Sequence, residues 1–167
     1  MLPKVIGCLS GEVVSDAEKG ELRIFGTRLT AINAQRLCNH LDTLVGVHVA
    51  EVIMHNLEFR AGKVDAARLR AERPRATLQE LVKHLTRDDS LSGMGITKVA
   101  LPENVKNPIE IEISNPSVKG AGGAAKAFAF SWWAGVLSGL LELEMDVKNF
   151  LYSEERNMMR CQIIPRD

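Results

Sequence analysis

Apolar residues recur every three to four positions in some stretches of this chain and every second position in others, so the pattern predicts mixed helices and strands. Thr30 can cap a helix in which Ala34, Leu37, Cys38, Leu41, Leu44 and Val45 keep to one stripe. Gly46 interrupts it. A second helix is expected from about Val47 to Ala61, with Ala50, Ile53, Met54 and Leu57 facing inward. The arginine-rich stretch Lys63 to Ala76, closed by Pro74, reads as a short helix or loop. Thr77-Leu-Gln-Glu80 is a capping-box pattern, in which hydroxyl and carboxylate each satisfy a free N–H at a helix start. Leu78, Leu81, Val82 and Leu85 follow at helical spacing, which predicts a helix to about Thr86.

Period-two patterning appears elsewhere. Glu12 to Ser15 and Glu21 to Phe25 flank a polar turn, Asp16 to Gly20, and predict a hairpin. Ile96 to Leu101 is one later strand. Ile109-Glu-Ile-Glu-Ile-Ser114 is another, its isoleucines on one face and its ends set by Asn107-Pro108 and Asn115-Pro116. A glycine-rich turn, Gly120 to Gly123, leads into an aromatic helix that runs to Leu141. Met145 to Tyr152 and Asn157 to Ile164 are then strands joined by Ser153-Glu-Glu-Arg156. Two strand pairs around one crossing helix predict an α+β fold: an antiparallel sheet with helices packed on one face, plus a short N-terminal hairpin. The expected organisation is one domain over 1–167, with a hairpin extension (1–28), a helical part (30–90) and a sheet with the aromatic helix (94–165).

Composition narrows the class. At 167 residues the chain can bury roughly 70% of its unfolded surface. Lys+Arg and Asp+Glu balance at 21 each, so no global field favours nucleic acid. Three scattered cysteines fit neither a disulfide framework nor CxxC metal spacing, and with no signal-peptide pattern at the start a cytoplasmic home is expected. Ala124 to Leu141 approaches membrane-span length, but Lys126, two serines and two glycines point to a buried helix and no transmembrane span.

The run Trp132-Trp-Ala-Gly-Val-Leu-Ser-Gly-Leu-Leu141, followed by a strand, a polar turn and a strand ending Met159-Arg-Cys-Gln-Ile163, resembles the C-terminal half of the 4-vinyl reductase-type domain. That superfamily includes hydrocarbon-binding domains and TRAPP vesicle-tethering subunits. The resemblance implies an α+β plait that dimerises through its N-terminal helices and encloses an apolar ligand channel. Many members carry further cysteines in the terminal hairpin. Here Leu151-Tyr-Ser-Glu has none, so only Cys161 stands near the expected place.

The candidate chemistry follows. Phe128, Phe130, Trp132, Trp133 and Leu137, with Cys161, are the candidate ligand-binding residues, either a pocket wall or plain core. Gly135 and Gly139 permit close backbone approach, to the sheet or to another helix. Gly120 to Gly123 opens a helix, where an anion could sit or the glycines could merely allow a turn. His48, Glu51, His55 and Glu58 form a polar stripe. The first three are weak metal candidates, and the plainer reading is a solvated face supported by a Glu51–His55 pair. Arg60, Lys63, Arg68, Arg70, Arg73 and Arg75 make a basic surface without stacking aromatics. No catalytic residues and no cofactor fingerprint such as GxGxxG are found, so no cofactor is assigned and an enzyme is not the leading expectation. The expected function is a homodimeric, apolar-ligand-binding domain. The alternatives are a TRAPP-like scaffold with a self-filled pocket, paired with itself or a related subunit, and a vinyl-tetrapyrrole reductase.

Overall fold

The computed structural model describes residues 13–16, 21–24, 27–29, 33–104, 106–120 and 122–166. The chain divides into two compact units, Met1–Asn33 and Ala34–Asp167. In the first, β1 (Val13–Asp16), β2 (Glu21–Ile24) and β3 (Thr27–Leu29) form an antiparallel sheet in that order. The expected hairpin is therefore present, and a third strand extends it. At three residues, β3 is too short for alternation to register. The Thr30 cap and the turn at 17–20 lie outside the described residues.

The second unit is α+β. It runs α1 (Ala34–Val45), α2 (Val47–Glu72), α3 (Leu78–Ser92), β4 (Ile96–Ala100), β5 (Ile109–Ser114), α4 (Gly123–Leu141), β6 (Met145–Ser153) and β7 (Met158–Pro165). The four strands form an open antiparallel sheet in the order β4-β5-β7-β6. Ile109, Ile111 and Ile113 of β5 are buried beside Met159, Cys161 and Ile163 of β7, whereas Glu110 and Arg160 between them are exposed. One sheet face thus carries the core and the other stays polar.

α4 fills the middle of that core. Phe130, Trp133, Val136 and Leu137 are almost wholly buried. Phe130 meets Phe150 of β6 edge-on, with ring centroids 5.8 Å apart. Ser138 Oγ accepts the backbone N–H of Met145 at 2.9 Å. By length and composition α4 could cross a membrane, yet 72% of its most apolar window is buried inside this unit. On its other side it meets α2 at glycines. A Cβ on Gly135 would stand 2.8 Å from the carbonyl carbon of Phe59, and one on Gly139 would stand 2.7 Å from the Ala66 Cβ. Of the two uses open to the Gly135–Gly139 spacing, this is helix-on-helix packing within the chain.

Three expectations need correction. The second helix does not end near Ala61, and Lys63 to Glu72 is neither loop nor separate helix. α2 runs 26 residues, to Glu72. Gly62 costs helix propensity, but it sits against the Trp132 backbone, where a Cβ could not fit, and the alanines, leucine and arginines beyond it favour helix. Ile53 and Leu57 do not face inward. Ala50, Met54, Ala66 and Leu69 take the inner face, while Ile53 (38% exposed) and Leu57 (61%) look outward, as do Leu44 and Val45 at the end of α1. Finally, α3 passes Thr86 and ends at Ser92, before Gly93 in the left-handed region (φ 84°). Its start is as expected: Thr77 N–H donates to Glu80 Oε2 at 2.8 Å, and Glu80 N–H donates to Thr77 Oγ1 at 3.3 Å.

Candidate functional site

The C-terminal half of α2, the middle of α3 and the first half of α4 line a half-open cavity of about 490 Å³, together with Met94 and Ile113. Phe128, Ala129, Trp132 and Trp133 form its aromatic wall, because positions four apart fall on one helix face. The two indoles stand edge to face, with centroids 5.1 Å apart. Each indole N–H has a carboxylate acceptor: Trp132 Nε1 donates to Asp65 Oδ2 and Trp133 Nε1 to Asp89 Oδ2, both at 2.9 Å. Asp89 also accepts from Thr97 Oγ1 at 2.9 Å, tying α3, β4 and α4 together.

The polar rim is mostly carboxylate. Glu58 and Asp65 lie two helical turns apart on α2, and Glu72 continues the row. Burial, reinforced by the nearby Asp65 charge, pushes the Glu58 carboxyl above its ordinary range. Burial also raises Asp89, against the lowering influence of its bonds from Thr97 and Trp133. The bases on the rim are paired: Arg68 with Glu72 at 3.6 Å and His84 with Asp88 at 3.3 Å. Chemically, the cavity offers apolar contact on one side and hydrogen-bond acceptors on the other.

Of the sequence candidates, the cavity brings together Phe128, Trp132 and Trp133. Phe130 and Leu137 are buried in the core, and Cys161 lies in β7 under the sheet. Burial drives the Cys161 thiol far above its usual range and pushes Cys38 up to about 11, with Asp42 and Glu58 adding to the latter.

His48, Glu51 and His55 line a second cleft of about 380 Å³ with Lys126, Ser131 and Asp146. Glu51 does not pair with His55 as the spacing suggested. It bonds Lys126 Nζ at 2.7 Å, and His55 Nδ1 shares a hydrogen bond with Ser131 Oγ at 2.9 Å. The stripe therefore turns partly toward α4 instead of lying wholly in solvent. Among the described residues no group of three or more His, Cys, Asp or Glu side chains could hold a metal. The start of α4 already has an anion of its own: Asp42 Oδ1 accepts the Ala124 N–H at 3.0 Å. Gln35 secures the preceding loop by bonding both the N–H and the carbonyl of Lys119.

Sequence reasoning missed Asp65 and Asp89. Their signal was indirect: two tryptophans expected in a core need acceptors for their N–H groups.

No protein-family model matches the chain, and no curated protein matches it. Solved structures do. The phenol-responsive sensory domain of the transcription activator PoxR, crystallised with phenol, has a TM-score of 0.69 at 13% identity, covering 96% of this chain and 88% of that one. A vinyl-4-reductase family protein from Methanocaldococcus jannaschii has a TM-score of 0.53 at 17% identity, covering 83% and 85%. At such identities the likeness shows the fold alone, one shared with a vinyl-4-reductase family protein and with a phenol-responsive sensory domain.

Proposed function

We propose that this chain is a small-molecule-binding domain whose ligand, largely apolar, seats against Phe128, Trp132 and Trp133. The observation that carries the reading is the cavity itself. At about 490 Å³ it falls in the size range of ligand pockets, with aromatic walls and a few convergent polar groups. The similar sensory domain solved with phenol supports it. Binding draws on apolar surface removed from water, at about 25 cal/mol per Å². Native mass spectrometry of the purified protein tests this, with a co-purifying small molecule as the expected result. Only bare protein, together with no thermal shift from a panel of small aromatic compounds, would refute it.

The domain works as a homodimer through α1 and α2. Val49, Val52, Ile53, Leu57 and Val64 make an outward apolar stripe along α2, with Leu57 61% and Val64 67% exposed. Light scattering should give twice the 18.4 kDa chain mass, and a monomer at micromolar concentration would overturn this part. The same stripe favours the second reading, a TRAPP-like assembly subunit paired with a related chain. In that case the protein would bind no small molecule. The Cys38 and Cys161 thiols suit a reducing cytoplasm.

A further inference from the structure

We infer that the cavity selects a ligand carrying a positively charged amine, with its carbon body against Phe128, Trp132 and Trp133 and its ammonium beside Glu58 and Asp65. This rests on the proposed binding function and specifies its chemistry. The lining is electrically one-sided. Arg68 and His84 are its basic side chains, and each already has a carboxylate of the same rim, Glu72 and Asp88. Among the described residues Glu58 and Asp65 have no cationic partner. One oxygen of Asp65 accepts the Trp132 N–H, which leaves its second oxygen and the Glu58 carboxylate to a ligand. These groups only accept hydrogen bonds while ionised, so the ligand must donate.

Charge separates an ammonium from a neutral donor. A hydroxyl would satisfy one oxygen but leave the repulsion between the two carboxylates, which adds to burial in raising the proton affinity of Glu58. An ammonium relieves that repulsion and donates three hydrogen bonds. An anion would meet unrelieved repulsion and no free base. A bare metal ion would lack a third ligand group among the described residues.

The chain has two tryptophans, both in this wall, so its indole fluorescence reports on the cavity alone. Three probes of similar size isolate charge: 2-phenylethylammonium, 2-phenylethanol and phenylacetate. The amine should bind at least about tenfold more tightly than the alcohol, and phenylacetate should not bind. In Glu58→Gln and Asp65→Asn, which keep volume and leave Trp132 an acceptor, that preference should fall to about twofold. A smaller preference in the native chain, or one that survives both substitutions, overturns the inference. Alcohol binding as tight as amine binding would do so while leaving the small-molecule reading intact. Silence from all three probes overturns the inference, and the co-purification experiment then decides the broader reading separately.

Discussion

Gly135→Ala should damage the protein more than a single methyl group suggests. The added Cβ would fall far inside van der Waals distance of the Phe59 carbonyl oxygen, 2.8 Å from its carbonyl carbon and 3.0 Å from its Cα. Ordinary contacts for a Cβ begin near 3.4 Å, so α2 and α4 would have to part. The obstructing atoms are backbone, so no rotamer change relieves them, and the overpacking cost should approach the upper end of about 1–3 kcal/mol. Helix propensity returns about 1 kcal/mol when glycine becomes alanine. The net loss is then about 2 kcal/mol, or a melting-temperature drop of roughly 6–8 °C for a unit of this size. Thermal melts followed by circular dichroism measure it. Ala67→Gly, at an exposed position on α2, calibrates the propensity effect at about 1 kcal/mol. A Gly135→Ala protein as stable as the native chain would refute the close approach of the two helices.

Other expectations follow from the same geometry. Asp89→Ala strands the Trp133 N–H and the Thr97 hydroxyl, and should cost about 2 kcal/mol in denaturant titrations, whereas Asp89→Asn should cost less. The folded chain holds a proton on Glu58 more tightly than the unfolded chain does, so ionising it costs stability as pH rises through the folded value. Glu58→Gln should therefore be the more stable protein at pH 7, with the gap shrinking as pH falls toward the ordinary 4.5. A pH-independent gap would contradict the assignment. Burial keeps Cys38 and Cys161 as thiols, so iodoacetamide followed by peptide mapping should label neither until the protein is unfolded.

What the sequence disclosed was local. The Thr77–Glu80 cap and the isoleucine alternation of β5 depend on residues within a few positions of each other, and both appear in the structure where the pattern put them. The length of α2 was not legible, because the use of Gly62 lies in the backbone of Trp132, far along the chain. Nor was the outward turn of Ile53 and Leu57. α2 carries apolar residues on two faces, and periodicity cannot say which one meets α4. The aromatic half of the cavity could be read from α4 alone, whereas its carboxylate half required the packing of α2 and α3 around it.

That division of labour bears on how such a domain diversifies. The greasy wall belongs to the central helix, whose replacement would imperil folding, while Glu58, Asp65, Glu72 and Asp88 project from its two companions. Substitutions at Glu58, Glu72 and Asp88 would retune which molecules are admitted at little expense to the scaffold, whereas Asp65 must keep an acceptor for the Trp132 N–H, so new selectivities lie within a few mutational steps of this one.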